Sequence, residues 1–307
     1  MIISCGEALI DMLPRRSEAG EEAFAPYAGG AVFNTAIALG RLGIPSGFFT
    51  GLSSDMFGNV LRKSLDDSHV DHSYCATLDR PTTLAFVKLT NGHASYAFFD
   101  ENTAGRMITE EHLPELGADV SAMHFGAISL ISEPCGSTFE ALMKREHERR
   151  VISLDPNIRP TFIKDTEAHR ARIDRMIDMS DILKLSDEDL DWFGMSGMEQ
   201  AANAWLDRGV KLVVITRGPD GAIGFARDQK IDVQGVKVEV ADTVGAGDTF
   251  NAGMLASLHR AGRLDKAAIA TLSGDEIHDA LLWGAKAAAV TVSRPGANPP
   301  RAEEIGF

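Results

Sequence analysis

Short apolar stretches alternate with segments of helical periodicity from residue 104 onwards, and this alternation constrains the fold more than any other feature of the sequence. The predicted strands are residues 120–125, 151–154, 182–185 and 211–216, and the helical segments between them include 137–150 and 166–179. This order favours an α/β fold with a doubly wound, mostly parallel sheet that is flanked by helices. Most of the strands end on a polar residue or a glycine, at Gly126, Asp155, Ser186 and Arg217. Because open α/β sheets bind ligands at the carboxyl ends of their strands, we expect the functional site along this edge.

The N-terminal third interrupts the alternation with additional β-rich sequence. A first strand at residues 2–5 and a helix that runs to about Leu42 fit the α/β pattern, whereas residues 13–27 are polar and contain prolines. Two alternating runs flank Asn91–Gly92, and Asn-Gly between such runs predicts a β-hairpin. We therefore predict a single domain over residues 1–307 with a small inserted β lid, formed by segments at approximately 13–27 and 75–103. The alternative is an edge hairpin without a role in the site.

Residues 242–250, with the sequence DTVGAGDTF, join a predicted strand at 236–240 to a predicted helix. Gly245 and Gly247 allow the backbone to turn sharply, so that several N–H groups can approach an anion at the helix N-terminus. Asp248 would repel that anion, unless it accepts a proton from the group that attacks it. The alternative is that Asp248 is the N-cap of the helix, a common use of Asp. The glycine pair between a strand and a helix favours the general base.

A second glycine pair precedes the first helix. Gly29 and Gly30 suit a tight turn into that helix, and Asn34 is a poor residue for a helix interior unless its amide has a partner. The pattern is equally consistent with a tolerated Asn after a glycine turn and with a site that binds hydroxyl groups. Asp11 follows the first strand, where both a ligand-binding carboxylate and a solvated turn residue would fit.

The composition limits the partners and the location of the protein. The 307 residues carry a formal net charge of −14, which argues against nucleic acid or an anionic membrane surface as a partner. A phosphate ligand must then be neutralised locally, by backbone dipoles, a few basic side chains and Mg²⁺. No apolar run approaches the length of a membrane span and the first residues lack the basic region of a signal peptide, so we expect a cytoplasmic protein. The scattered cysteines predict reduced thiols at Cys5, Cys75 and Cys135.

Several common motifs are missing from the sequence. Without GxxxxGK[ST] or GxGxxG, neither a Walker-type phosphate loop nor a dinucleotide fingerprint is available. Without GxSxG, an esterase is disfavoured as well. What remains is a glycine-rich anion site with one carboxylate, together with candidate hydroxyl-binding residues. Phosphoryl transfer to a hydroxyl group requires such an arrangement.

The sequence resembles the ribokinase-like (PfkB) carbohydrate kinases over almost its full length, and among them the fructokinase branch most. The resemblance rests on two motifs in the family's order, Gly29 through Asn34 to Gly58, and residues 242–250. It implies a doubly wound α/β domain with a β lid that often helps to form a homodimer. It also implies ATP and Mg²⁺ as cofactors, K⁺ in addition, and phosphorylation of the primary hydroxyl of a free sugar. For the fructokinase branch that reaction converts D-fructose to fructose 6-phosphate.

The resemblance implies roles for individual residues. Asp248 would deprotonate the sugar hydroxyl, and the anion hole would be formed by Gly245, Ala246 and Gly247. The sugar and the transferred phosphate would be bound by Asp11, Gly29, Gly30, Asn34 and Arg159. The nucleotide side would include, besides Gly245 and Gly247, the residues Lys184, Ser186, Thr216, Gly218 and Gly221. A monovalent cation, typically K⁺, would lie in a loop that contains Asp242, Val244, Arg294 and Gly296.

Two positions depart from the family pattern. The family's Asn-x-x-Glu element, which is linked to Mg²⁺ and phosphate, begins here with Ser186 and ends with Asp189. We therefore expect Asp189 to act on Mg²⁺ through a water molecule rather than directly. Pro300 stands where some relatives have a Ser, which removes one candidate K⁺ ligand.

The choice of substrate depends on Asp100. Similar kinases of 2-keto-3-deoxygluconate have an Arg after the aromatic pair Phe98–Phe99, whereas this chain has a carboxylate that would repel an acidic substrate. A neutral sugar is therefore favoured, unless Asp100 points into solvent. The alternatives are a kinase for 2-keto-3-deoxygluconate, ribose or a nucleoside, and a non-catalytic sugar or nucleotide sensor. Asp248 argues against the sensor, since a binding protein gains nothing from an acid that faces phosphate.

Overall fold

The secondary structure follows the predicted alternation. The structure is a computed structural model, and it describes residues 1–90 and 93–307. Within these ranges the strands are, in chain order, β1 (Ile2–Cys5), β2 (Leu9–Arg16), β3 (Glu22–Gly29), β4 (Ser46–Phe49), β5 (Gly51–Ser53), β6 (Val70–Asp71), β7 (Ala76–Leu78), β8 (Leu84–Thr90), β9 (His93–Phe99), β10 (Ala122–Gly126), β11 (Val151–Asp155), β12 (Ile182–Ser186), β13 (Leu212–Thr216), β14 (Ala222–Ala226) and β15 (Gln229–Val233). The helices are α1 (Ala31–Arg41), α2 (Met56–Asp67), α3 (Cys135–Glu146), α4 (Thr166–Asp178), α5 (Asp187–Trp192), α6 (Met198–Asp207), α7 (Ala246–Arg260), α8 (Lys266–Ile269), α9 (Gly274–Val292) and α10 (Ala302–Ile305).

The larger sheet has the strand order β15-β14-β13-β12-β11-β10-β1-β4-β6. Neighbouring strands are parallel throughout the part β13-β12-β11-β10-β1-β4-β6. At the other edge, β14 pairs antiparallel with β13, and β15 pairs antiparallel with β14. The four strands predicted after residue 104 are β10 to β13, which lie side by side. The predicted α/β fold with a doubly wound, mostly parallel sheet is confirmed.

Successive residues of the strands pack against helices on opposite faces of the sheet. One face packs against α3, α4 and α6 through side chains that include Ile3, Met123, Ile152, Leu183 and Val213. The other face packs against α1, α7 and α9 through their chain neighbours Ile2, Ala122, Val151, Ile182 and Leu212. Burial on both faces explains why these strands are mostly apolar and do not alternate strictly between apolar and polar residues.

A second sheet, which we call the lid sheet, has the strand order β3-β2-β8-β9. β2 pairs antiparallel with β3 and parallel with β8, and β8 pairs antiparallel with β9. Its strands overlap the predicted segments 13–27 and 75–103, although β2 already begins at Leu9 and β7 pairs with β5 outside this sheet. Pro26 lies on the edge strand β3, a position where a sheet tolerates proline. The turn predicted at Asn91–Gly92 lies outside the described residues.

The prediction of a strand at residues 236–240 is wrong. Residues 234–240 form no strand, and the side chains of Val236, Val238 and Val240 are 41%, 39% and 60% exposed. β15 is the outermost strand of the larger sheet, whereas α7 packs against α1 and α9. The chain between β15 and α7 must therefore return from the sheet edge, and its alternating valines belong to an extended connection.

The helices of the described ranges include none that is long and apolar enough to cross a membrane. Cys5 and Cys135 are buried free thiols, and Cys75 is partly buried.

Candidate active site

The glycine-rich motif forms the turn into α7 and the first turn of that helix. Gly245 is the N-cap residue, and its φ of 78° is a left-handed conformation that favours glycine. Asp248 lies inside the first turn, so the alternative in which Asp248 is the N-cap is wrong. In the described part of the chain, the N–H groups of Gly247 and Asp248 donate to no protein acceptor. The helix N-terminus is therefore free to receive an anion, as the sequence predicts.

Asp248 is buried and makes one side-chain contact with α1. Its Oδ2 accepts a hydrogen bond of 2.9 Å from Nδ2 of Asn34, and its backbone carbonyl accepts one of 3.1 Å from the hydroxyl of Thr35. Burial raises the pKa of Asp248 to about 7, and the hydrogen bond from Asn34 acts in the opposite direction. A carboxyl group whose pKa is close to the working pH is well suited to general base catalysis.

Glu7 fixes the start of α1 beside Asp248. Its Oε1 accepts a hydrogen bond of 2.8 Å from the N–H of Ala31, and its Oε2 accepts one of 3.2 Å from the N–H of Ser129. Gly30 has a φ of 111°, and a Cβ atom there would lie 2.8 Å from the carbonyl oxygen of Glu7. Gly30 is therefore needed for this approach. The sequence does not identify Glu7, and its only signal is its position directly after the first strand.

Asp11 lies on β2 of the lid sheet rather than in a loop after β1. A Cβ atom at Gly29 would overlap Oδ2 of Asp11, so the carboxylate lies against the glycine backbone just before α1. Burial raises the pKa of Asp11 to about 6. The structure therefore brings Asp11, Gly29, Gly30 and Asn34 together around the start of α1, where carboxylate and amide groups can bind hydroxyl groups.

A buried ion pair lies next to the first turn of α7. Nζ of Lys184 lies 2.9 Å from Oδ2 of Asp155, and their side chains are 5% and 4% exposed. Nδ2 of Asn251 donates a hydrogen bond of 2.7 Å to the same carboxylate oxygen. A Cβ atom at Gly247 would lie 3.1 Å from Nζ of Lys184, which places the ammonium group beside the predicted anion hole. Sequence reasoning missed Asp155 and Asn251 as site residues, although Asp155 ends a predicted strand.

Asp248 also lines a polar crevice that is too narrow for a water molecule, and the ends of β10 and β11 close it from the other side. Its walls include Asp155, Asn157 and Asn251, together with His124. Within the described ranges, Oδ1 of Asn251 is buried without a hydrogen-bond partner. The crevice therefore gathers several polar groups around Asp248, but it is itself too narrow to hold a sugar.

Arg159 is exposed in the loop after β11, directly before the 3₁₀ turn Pro160–Phe162. Its guanidinium group donates a hydrogen bond of 3.0 Å to the carbonyl of Ile158. The contact of Arg159 with a phosphate stays a prediction.

Four of the residues predicted on the nucleotide side lie at or just after the carboxyl ends of β12 and β13. Ser186 and Thr216 are direct neighbours in the register of these two strands. Gly218 and Gly221 have φ values of 53° and 91°, and a Cβ atom at Gly221 would overlap the carbonyl of Val233. The turn after β13 therefore depends on glycine, and all four residues lie along one stretch of the sheet edge.

Both carboxylate oxygens of Asp189 are engaged by the protein. Oδ2 accepts hydrogen bonds of 2.8 Å from the N–H and from the hydroxyl of Ser186, and Oδ1 accepts one of 3.0 Å from the N–H of Ile158. The observed role of Asp189 is to complete the capping box of α5 and to hold the loop after β11. Across the described residues, no group of three acidic, His or Cys side chains could hold a metal ion.

The predicted cation loop is assembled by Asp242. Its Oδ1 accepts a hydrogen bond of 3.1 Å from the N–H of Val244, and its Oδ2 accepts one of 2.9 Å from the N–H of Gly296. Arg294 is held by an ion pair with Glu304 of α10. The structure therefore brings the segments around residues 242–244 and 294–296 together.

Asp100 is partly exposed, and both of its carboxylate oxygens have protein partners. Its Oδ1 accepts a hydrogen bond of 3.2 Å from Arg106, and its Oδ2 accepts one of 3.1 Å from the hydroxyl of Ser132. Asp100 therefore contacts protein groups while part of its side chain stays accessible to solvent. Because its charge is paired with Arg106, however, repulsion by Asp100 alone does not explain a preference for neutral sugars.

Comparison with known sequences agrees with this geometry. The chain matches the description "pfkB family carbohydrate kinase" over residues 1–304. A fructokinase from Rhizobium leguminosarum bv. trifolii is 63% identical to the chain over 273 residues, which cover 89% of this chain and 84% of that protein.

Solved structures show the same fold. A fructokinase from Xylella fastidiosa with bound ATP has a TM-score of 0.90 at 29% identity, and the match covers 99% of this chain and 96% of that one. A double mutant of the Vibrio cholerae fructokinase with fructose, ADP and a potassium ion bound has a TM-score of 0.84 at 25% identity, and the match covers 96% and 93% of the two chains. The family match over almost the whole chain, together with the site around Asp248, shows that this chain belongs to the pfkB family of carbohydrate kinases.

Proposed function

We propose that the protein transfers the γ-phosphoryl group of ATP to the primary hydroxyl of D-fructose, which yields fructose 6-phosphate and ADP. The observation that carries the proposal is the buried carboxyl group of Asp248 in the first turn of α7, where a proton acceptor and an anion site meet. The choice of fructose is supported by the fructokinase that is 63% identical to this chain and by the fructose bound to the Vibrio cholerae fructokinase.

In this mechanism, Asp248 accepts the proton of the attacking hydroxyl. Asn34 holds Oδ2 of the carboxylate at 2.9 Å, which leaves the other oxygen for the hydroxyl group of the sugar. As the hydroxyl oxygen bonds to phosphorus, its proton passes to Asp248 and the bond between phosphorus and the β–γ bridging oxygen breaks, so that ADP leaves. With a pKa of about 7, a large part of Asp248 is ionised at neutral pH and can act as the base.

The negative charge of the phosphoryl group is stabilised by the first turn of α7 and by basic side chains. The N–H groups of Gly247 and Asp248 point out of the helix N-terminus, and the ammonium group of Lys184 lies beside them. Fixed donors of this kind stabilise charge that develops in the transition state without reorganisation. In a chain with a net charge of −14, such local neutralisation is needed for any phosphate to bind.

The residues also fit the two metal ions that the family implies. Mg²⁺, which neutralises phosphate oxygens when bound, is usually held by phosphates and water and needs few protein ligands. The engaged carboxylate of Asp189 fits a contact through water better than direct ligation. For K⁺, the segments joined by Asp242 would supply oxygen ligands at Asp242, Val244, Arg294 and Gly296.

We further propose that the lid sheet covers the sugar and pairs with the lid sheet of a second copy, in a cytoplasmic homodimer. Phe24, Tyr27 and Phe99 are 47%, 46% and 59% exposed on β3 and β9. The ring of Phe86 packs edge-on against the rings of Phe24 and Phe99, with distances between ring centres of 5.0 and 5.5 Å. Phe24, Phe86 and Phe99 thus form one apolar cluster. Exposed clusters of this kind commonly mark interaction surfaces. Light scattering should give the mass of a dimer for the wild type and of a monomer for Phe24→Ser with Phe99→Ser.

A coupled assay of ADP release over a sugar panel tests the proposed substrate. The panel should contain fructose, ribose, 2-keto-3-deoxygluconate and a nucleoside, each with ATP and Mg²⁺. We expect the highest kcat/KM with fructose. A higher kcat/KM with another acceptor would overturn the choice of fructose, and sugar binding without ADP release would support a non-catalytic sensor.

A further inference from the structure

Asp155, Lys184 and Asn251 form a buried hydrogen-bonded group beside Asp248. The proposed phosphoryl transfer does not assign a role to Asp155 or Asn251. Lys184 is on β12, Asp155 ends β11, and Asn251 lies on α7 one turn after Asp248. Asp155 receives both Nζ of Lys184 at 2.9 Å and Nδ2 of Asn251 at 2.7 Å on the same oxygen. One carboxylate thus connects two neighbouring strands to the helix that carries Asp248.

We propose that Asp155 and Asn251 are positioning residues, which hold the ammonium group of Lys184 beside the first turn of α7 so that the transferred phosphoryl group meets a positive charge at a fixed place. This inference rests on the proposed kinase function and names further residues for it.

The flexibility of lysine is the first reason for this assignment. A lysine side chain has a long, flexible stem, and a defined position for its ammonium group needs an external anchor. Asp155 provides the anchor, and Asn251 fixes Asp155 in turn from α7. Because a Cβ atom at Gly247 would lie only 3.1 Å from Nζ, the anchored ammonium group is adjacent to the backbone that would bind phosphate.

Stability alone does not account for the pair. Desolvation of two buried charges largely cancels their attraction, so a buried salt bridge is weak evidence for a stabilising role. The side chains of Lys184 and Asp155 are 5% and 4% exposed, at the edge of the sheet where the polar crevice with Asp248 lies.

The charges that face Asp248 make the inference testable by pH dependence. Burial and the hydrogen bond from Asn34 have the largest effects on the pKa of Asp248. Of the nearby charges, the negative charges of Asp155 and Glu7 raise this pKa, and the positive charge of Lys184 lowers it. His124 lines the same crevice, but burial lowers its pKa to about 4, so it is neutral at the working pH. Removal of Asp155 and removal of Lys184 should therefore move the ionisation of Asp248 in opposite directions.

Three variants test the assignment in steady-state kinetics with fructose and ATP across pH. Asp155→Asn should lower kcat by roughly ten- to hundredfold with little change in the KM for fructose. It should also move the acidic limb of the pH profile, the pH range in which kcat/KM falls as Asp248 becomes protonated, to lower pH. Lys184→Gln should lower kcat and move the limb to higher pH. Asn251→Ala keeps both charges, so it should lower kcat without moving the limb.

Lys266 and Asp181 supply a matched control at the opposite end of β12. Nζ of Lys266 lies 2.7 Å from Oδ2 of Asp181, whose side chain is 5% exposed. Asp181→Asn therefore breaks an ion pair with a buried carboxylate away from the site, although Lys266 is 33% exposed and Lys184 only 5%. We expect it to lower the melting temperature and to leave the pH limb in place.

The outcomes separate this inference from the proposed function. The positioning role would be overturned if the acidic limb stays in place in both Asp155→Asn and Lys184→Gln, or if it moves in the same way in Asp181→Asn. In that case, loss of activity in Asp248→Asn would still support the proposed kinase function. If Asp155→Asn does not fold, the other two variants decide. The inference is supported if the acidic limb of Lys184→Gln moves to higher pH and if Asn251→Ala has a lower kcat with an unmoved limb. Any other pattern overturns it. Wild-type kcat in Asp248→Asn would overturn both the proposed base and this inference.

Discussion

The side-chain amide of Asn34 donates a hydrogen bond of 2.9 Å to the carboxylate of Asp248, although the two residues are 214 positions apart in the chain. The contact joins the start of α1, where Gly29, Gly30 and Asp11 meet, to the first turn of α7. It therefore couples the predicted sugar site to the predicted base, and it explains why an Asn is placed in the interior of a mostly apolar helix.

Loss of the Asn34 amide should change the pH dependence of the reaction. The hydrogen bond from Asn34 opposes the effect of burial on the pKa of Asp248, which is about 7. In Asn34→Ala we expect the acidic limb of kcat/KM for fructose to move from near pH 7 to higher pH. Thr35→Val is the matched control, because Thr35 donates to the backbone carbonyl of Asp248 and not to its carboxylate. An unmoved limb in Asn34→Ala would contradict the coupling.

Asp248 should cost stability at the pH where it works. Its pKa rises from 3.8 in the unfolded chain to about 7 in the folded protein, so the folded state binds an additional proton between these values. The free energy of unfolding therefore falls as the pH rises from about 4 to 7, by a few kcal/mol for this group. Asp248→Asn lacks this loss and should become more stable than the wild type between pH 5 and roughly 8, as urea unfolding at several pH values would show. A difference between the two proteins that is constant over this range would contradict the raised pKa.

Gly29 should control the sugar site through Asp11. A methyl group at Gly29 would overlap Oδ2 of Asp11 and displace the carboxylate. If Asp11 binds a hydroxyl group of the sugar, Gly29→Ala should raise the KM for fructose by roughly ten- to hundredfold, with a smaller effect on the KM for ATP. Gly105→Ala is the control, because the nearest atom to a Cβ there is 3.7 Å away. Equal KM values for fructose in both variants would exclude Asp11 from the sugar site.

Asp242 should control the response to K⁺. Its two oxygens hold the N–H groups of Val244 and Gly296, so Asp242→Ala releases the two segments from each other. We expect a higher K⁺ concentration for half-maximal activity, and a weaker heat signal when K⁺ is titrated into the protein without substrates. Ser293→Ala is the control, because the hydroxyl of Ser293 donates to the carbonyl of Val290 and not to Asp242. A K⁺ response like that of the wild type in Asp242→Ala would contradict the cation loop.

The fold was predictable because its signals are local. The four buried strands after residue 104 are mostly apolar, and Gly245 and Gly247 mark a turn into a helix. The valines at 236–240 were misleading for the same reason, since local alternation cannot show that β15 lies at the edge of the sheet and that the chain must return from it.

The site was predictable only in part, because its remaining contacts are long-range. The contact of Glu7 with Ser129 spans 122 positions, and that of Asn251 with Asp155 spans 96. No periodicity in the sequence links such residues. Asp100 illustrates the same limit, because its partner Ser132 comes from a different segment and changes what its carboxylate can do.

The kcat of Asp248→Asn with fructose and ATP tests the central claim most directly. Asn keeps the size of the side chain and can still accept the hydrogen bond from Asn34, but it cannot take the proton of the sugar hydroxyl. We predict a kcat reduced by roughly 10² to 10⁴-fold, with KM values for fructose and ATP close to those of the wild type. A kcat close to that of the wild type, in a protein that is folded and binds fructose, would contradict Asp248 as the general base.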